Sequence, residues 1–276
     1  MSATILSGSA AASALRAELK QRTEKLYLQY IFPVLATVRI GEDGGAVSYE
    51  KGLLRAAQQT GVRVRRYILP DTVTQRELSE LIDQINADPL LSGLLLLRPL
   101  PKHLDEKALS DRILPQKDVD CANQSALPCF TPCTAEACMA LLRHYEIPCE
   151  GRRAVVVGRS KAVGLPTARL LLNENATVTV CHSKTRDLPG TCRTAELLVA
   201  ATGRPGLVTK DCVTPDTVVL DVGVSLDPET GKYRGDVSPD AAQAACAVSP
   251  VPGGVGALTS TILMRHVIDA AERSAK

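Results

Sequence analysis

Apolar residues recur at Ala11, Leu15 and Leu19, the spacing of one helix face, and then merge into the unbroken run Phe32 to Ile40, which Gly41 and Asp43 close. A helix leading into a buried strand is expected. Helical spacing returns over about Ala46 to Thr60 and stops at Gly61, and Val62 to Leu69 then reads as a strand ended by Pro70. Thr72 to Ala87 carries Leu78, Leu81, Ile82 and Ile85 on one helical stripe, and Leu94 to Leu97 is short enough to be a core strand. The α-β alternation has by then repeated three times.

Thr134 to Tyr145 is a further predicted helix. The charged stretch Glu150 to Arg153 after it is where a domain boundary is expected. Beyond it come four short apolar runs, Ala154–Val157, Val178–Cys181, Leu197–Ala201 and Val218–Val222, with a helical pattern between the first two; this is the rhythm of a doubly wound parallel sheet. Thr259 to Ala271 forms a last amphipathic helix able to pack back on the first domain. The expected class is therefore α/β, with one domain over 1–149 completed by a C-terminal helix over 257–276, and a Rossmann-like domain over 150–256.

Composition narrows what such a protein does. The 276 residues include no Trp and only two Phe, so base-stacking platforms for nucleic acid are not expected. Thirty-two basic residues against thirty acidic ones leave a formal charge of +2 with the signs interspersed, which gives no footprint for nucleic acid or an anionic membrane and points to a small-molecule partner. Nine cysteines, an odd number without a C-x-x-C pair, read as reduced cytosolic thiols rather than disulfides or a metal site. Met1 to Arg16 lacks the basic and apolar regions of a secretory signal, and no stretch reaches the ~18 apolar residues of a membrane span, so a cytoplasmic protein is expected.

The candidate chemistry begins directly after the strand Ala154–Val157, with Gly158-Arg-Ser-Lys-Ala-Val-Gly164-Leu-Pro166 opening a helix. Glycines allow close backbone approach, and a helix N-terminus offers N–H groups and a positive dipole end to a pyrophosphate. A generic glycine turn is the plain alternative. The next strand runs into His182-Ser-Lys-Thr-Arg186, which has no acid to hold a ribose diol but has two permanent cations, and Arg159 adds a third. That edge suits a 2′-phosphate, so NADP is expected over NAD unless the loop is simply solvated. Pro250-Val-Pro-Gly-Gly-Val-Gly256 is a second glycine cluster, which serves equally well as a linker or as backbone close to a flat ligand.

At these residues the chain resembles the methylenetetrahydrofolate dehydrogenase/cyclohydrolase family from about Ile5 to Ala271. The matching segments are the Gly158–Pro166 loop, Cys181–Thr185, Asp221-Val-Gly223, Pro250–Gly256, Lys117-Asp-Val-Asp120 and Phe130–Thr134. The resemblance implies a folate-binding domain, an NADP domain, a cleft between them and a homodimer. By position it implies that Gly158, Arg159, Ser160 and Gly164 hold the cofactor phosphates, Ser183 its 2′-phosphate and Val224 its nicotinamide end. It further implies that Tyr49 stacks on the pterin, that Asp120 binds the amino-pyrimidine edge, and that Pro252, Gly253, Gly254, Val255 and Gly256 line the substrate site. For Asp120 the alternative is a carboxylate capping a turn.

The departures concern chemistry. The family's Tyr-x-x-x-Lys reads Tyr49-Glu-Lys-Gly-Leu53, so leucine stands where the catalytic lysine is expected. The family's glutamine is Leu97, with Arg98 beside it; the glycine after Asp120 is Cys121, and the proline after Gly256 is Ala257. Hydride transfer to a nicotinamide needs mainly alignment. Hydrolysis of a methenyl cation needs a positioned acid or base, which leucine cannot supply. Lys51 and Arg55 lie about 200° around the helix from residue 53, and Arg98 is a poor base. The expectation is an NADP-dependent dehydrogenase with weak or absent cyclohydrolase activity. A reductase of another substrate and a non-catalytic cofactor-binding paralogue are the alternatives.

Overall fold

The computed structural model describes residues 3–123, 125–226 and 231–275. In chain order the elements are β1 (Thr4–Ile5), α1 (Gly8–Leu28), β2 (Val34–Ile40), α2 (Gly44–Thr60), β3 (Arg63–Leu69), α3 (Gln75–Ala87), β4 (Gly93–Leu96), α4 (Glu106–Asp111) and α5 (Cys133–His144). There follow β5 (Arg153–Val157), α6 (Gly164–Asn173), β6 (Thr177–Cys181), α7 (Leu188–Arg193), β7 (Leu197–Ala200), β8 (Val218–Asp221), β9 (Ser225–Leu226), β10 (Tyr233–Arg234), α8 (Pro239–Ala244), β11 (Ala247–Val248) and α9 (Gly256–Ser274). No described helix is long and apolar enough to cross a membrane.

The chain divides into two compact units: Met1–Ala12 with Pro132–Thr259, and Ser13–Thr131 with Ser260–Lys276. The first holds a six-stranded parallel sheet in the order β1-β11-β8-β7-β5-β6. Its middle strands are apolar and buried, as strands covered on both faces must be. The second holds the three-stranded parallel sheet β3-β2-β4. One face of β2, with Ala36, Val38 and Ile40, meets Leu78, Ile82 and Ile85 of α3 in a shared core.

Local chemistry fixes the ends of these elements. The Asp43 side chain accepts from Ala46 N at 2.9 Å to start α2, and Gly61, at φ 80°, ends it in the left-handed conformation. Thr74 and Glu77 form a reciprocal capping box, so α3 begins at Gln75, three residues later than the apolar pattern suggests.

Two placements differ from the sequence reading. Helix α5 packs on α6 in the six-stranded unit, so the charged stretch at 150–153 is a turn leading into β5 inside that unit, and the chain passes between units near residue 131. The amino terminus also belongs there: Thr4 pairs with Ala247 and Ile5 with Val248, adding an edge strand too short to show any periodicity.

Candidate functional site

In the six-stranded unit, the carboxyl ends of β5, β6 and β7 surround a cavity of about 440 Å³. Gly158, at φ 123°, carries the chain out of β5 where a Cβ would lie 2.1 Å from Ala201 O; a Cβ on Gly164 would lie 2.2 Å from Gly158 O. Only glycine fits at either position, which settles why the loop holds these residues. Ser160 turns back on α6: its Oγ accepts from Val163 N at 3.2 Å and Gly164 N at 3.3 Å. Arg159 and Ser183 are exposed. The turn from His182 is closed by Thr185 Oγ1, which accepts from His182 N at 2.8 Å.

Two buried aspartates, which carried no role in the sequence reading beyond a motif, brace this edge. Asp221 ends β8 and accepts from Gly223 N, Asp236 N and Val237 N at 2.9 to 3.1 Å. Burial pushes its carboxyl up to about 6 against the pull of those donors. Asp236 Oδ2 accepts from Thr202 Oγ1 at 2.9 Å and Gly203 N at 3.1 Å, fixing the loop after β7. Val224, beyond Asp221, is exposed.

The Pro250–Gly256 cluster is tied to the amino terminus. Gly8 N donates to Gly253 O at 2.8 Å, and a Cβ on Gly8 would lie 1.8 Å from Gly254 O. Pro252, Gly253 and Gly256 remain exposed, whereas Gly254 and Val255 are buried. Ala257 N donates to Gly254 O at 3.0 Å, a bond that a proline there could not make.

The second unit gathers a polar group around Asp120. Asp118 is the turn-capping carboxylate, accepting from Ala122 N at 2.9 Å and Asn123 N at 2.8 Å. Among the described residues no donor reaches the Asp120 carboxylate. Burial pushes it up to about 6, Arg98 and His266 pull it down, and Asp118 pushes it further up. The His266 ring donates through Nδ1 to Val119 O at 2.7 Å and stacks on Phe130 with centroids 4.8 Å apart. Burial holds it neutral, with its value lowered to about 4. His266 was not a candidate in the sequence, because a histidine on an apolar helix face gives no signal of its neighbours. Cys121 sits at φ 57°, the left-handed region, and burial beside Asp118 and Asp120 raises its thiol to about 12.

Tyr49 on α2 is partly exposed, while Leu53, one turn on, is wholly buried. Leu97 is buried too, its N–H donating to Val38 O at 2.8 Å. Arg98 points outward and pairs with Glu106 at 2.7 Å. Lys51 and Arg55 are exposed. Among the described residues no group of three or more His, Cys, Asp or Glu could hold a metal.

Two family descriptions account for nearly the whole chain. "Tetrahydrofolate dehydrogenase/cyclohydrolase, catalytic domain" matches residues 6–120, and the NAD(P)-binding domain of the same family matches residues 132–275. The chain belongs to the tetrahydrofolate dehydrogenase/cyclohydrolase family. It is 44% identical to the bifunctional protein FolD of Moorella thermoacetica, over 99% of this chain and 100% of that one, and 41% identical to that of Bacillus mycoides, over 99% and 98%. Among solved structures it is similar to the Campylobacter jejuni FolD enzyme, with TM-score 0.89 and 35% identity over 98% of this chain and 99% of that one. The Trypanosoma brucei enzyme, solved with NADP cofactor and inhibitor, gives TM-score 0.89 and 35% identity over 100% and 99%.

On the buried face of α2, three residues before Leu53, Glu50 centres a charge cluster that had no role in the sequence reading. Glu50 Oε2 accepts from Arg39 Nε at 3.0 Å and Arg66 Nη2 at 2.9 Å, and Glu50 Oε1 from Arg66 Nε at 3.1 Å and Thr37 Oγ1 at 3.3 Å. Burial alone would raise Glu50, but the two guanidiniums outweigh it and hold the carboxyl below its ordinary value. Helical spacing puts Glu50 and Leu53 on one face, so the signal was present as Glu50 itself, an acid on the apolar stripe.

Proposed function

We propose that the protein oxidises methylenetetrahydrofolate to methenyltetrahydrofolate with NADP, and hydrolyses the methenyl product weakly or not at all. The observation that carries the second half is Leu53: leucine stands at the position of the expected lysine with 0% of its surface exposed, and Leu97 is buried as well. No amine or amide stands there to activate water or protonate a ring nitrogen. The relatives named FolD are called bifunctional, so loss of one activity would set this chain apart from them.

The residues at the carboxyl edge of the six-stranded sheet fit the cofactor. Gly158 leaves a backbone cradle that a Cβ would fill, α6 begins beside it, and Arg159 and Ser183 present a cation and a hydroxyl suited to a 2′-phosphate. When bound, NADP accepts the hydride. Asp120, unengaged by the turn that Asp118 caps, has both oxygens available for the donor edge of a pterin, and Tyr49 offers an exposed ring for stacking. A homodimer in the cytoplasm completes the reading, supported by the family resemblance and nine free thiols.

The test mixes purified protein with methylenetetrahydrofolate and NADP, follows methenyl absorbance, and separately follows the decay of added methenyltetrahydrofolate. Methenyl accumulation without accelerated decay is expected, and Leu53→Lys combined with Leu97→Gln is expected to accelerate decay at least about tenfold. Rapid decay with the native chain would overturn the loss of hydrolysis. A monomer in sedimentation at micromolar protein would remove the homodimer.

A further inference from the structure

The cavity at the ends of β5, β6 and β7 is lined by two guanidiniums, Arg159 from the loop after β5 and Arg204 from the loop after β7, together with His182, and by no carboxylate. Neither arginine has an acidic partner among the described residues, whereas Arg22, Arg39, Arg66 and Arg112 of the second unit are each paired with a carboxylate. Two like charges turned into one cavity repel unless a polyvalent anion lies between them. The loop that presents Arg204 is fixed in advance: Asp236 holds Thr202 and Gly203, Gly203 turns at φ 67°, and Arg204 N donates to Thr202 Oγ1 at 3.2 Å. A rigid backbone leaves only side-chain entropy to be lost when that guanidinium meets a ligand.

We infer that Arg204 is a second specificity-determining residue for the cofactor, gripping the 2′-phosphate from the side of the cavity opposite Ser183, with Arg159 as its partner in charge. This rests on reading the cavity as the NADP site. A phosphate monoester carries close to two negative charges at neutral pH, and two guanidiniums with the Ser183 hydroxyl match that charge and its acceptors. NAD, which ends in a neutral diol there, leaves the two cations facing each other.

Dissociation constants measured by fluorescence or calorimetry for NADPH, NADH, 2′,5′-ADP and 5′-ADP decide it. Arg204→Gln is expected to weaken NADPH and 2′,5′-ADP about tenfold while changing NADH and 5′-ADP less than about twofold; Arg204→Lys is expected to restore most of the loss. The side chain is exposed, so unchanged melting of the variants is expected to accompany these shifts. Equal weakening of NADPH and NADH, or none, would overturn the role of Arg204 while leaving the proposed function intact. Failure of the native chain to bind either NADPH or 2′,5′-ADP would overturn both.

Discussion

Cys121 and Asp120 are neighbours with opposite costs. A side chain at φ 57° costs about 1 kcal/mol relative to glycine, and the family's expected glycine at 121 marks that backbone requirement. Cys121→Gly is accordingly expected to raise the melting temperature by about 2–4 °C, and unchanged or lowered melting would show that packing of the thiol outweighs the strain. Asp120 is raised to about 6 from an ordinary value of 3.8, so between those values the folded chain holds more protons than the unfolded one and stability falls as pH rises. Asp120→Asn removes that penalty: it should melt above the native chain at pH 8, by up to about 3 kcal/mol of stability, and alongside it near pH 4. The same substitution should raise the folate KM at least about tenfold, because a carboxylate accepts from the pterin's donor edge more strongly than an amide. Higher melting with unchanged KM would remove Asp120 from the substrate site.

At the scale of elements, α2 and β2 share a layer in which charge and apolar surface are interleaved. Exposed pairs such as Arg98 with Glu106 contribute under about 1 kcal/mol. The Glu50 cluster differs, because removing the acid would leave the buried Arg39 with only the exposed Glu42, 3.1 Å from its Nη1, as a counter-charge. Glu50→Ala is expected to cost about 3–5 kcal/mol in denaturant unfolding. Glu50 is held below its ordinary value of 4.5, so its contribution is complete above that pH and is lost as pH falls through the lowered folded value; the gap between native and variant chains should narrow in acid. A loss under about 1 kcal/mol would show that the cluster is solvated in solution. It also bears on the lysine that the family expects at 53. An ammonium placed there meets a carboxylate already shared by two guanidiniums, so Leu53→Lys alone should melt lower than the native chain.

For the whole molecule, ligand binding and stability are linked. NADP at 100 times its dissociation constant should stabilise the native chain by about 2.7 kcal/mol, seen as a rise in melting temperature of roughly 5–10 °C, and NAD at the same concentration should give much less. No shift with NADP would contradict the cofactor assignment. Much of this architecture was legible in the chain itself. Unbroken apolar runs such as Ala154–Val157 and Leu197–Ala200 announce strands buried on both faces, and the helix stripes between them announce a parallel sheet, because hydrophobic periodicity is a local property. The Gly158–Gly164 loop was legible for the same reason, since glycine is required wherever backbones approach within a methyl group's width. The α/β class, the nucleotide loop and the substitution of leucine at 53 are therefore determinations of the sequence by itself. Tertiary structure alone decided that Thr4 and Ile5 close the edge of a sheet whose neighbouring strand lies some 240 residues on, that α5 belongs with α6, and that Asp118 caps the turn and leaves Asp120 unengaged. It alone joined Glu50 to Arg39 and Arg66 and turned Arg159 and Arg204 into one cavity. Those facts rest on contacts between residues distant in the chain, whose energies depend on burial and on which charges face each other, and no local pattern of residues encodes either.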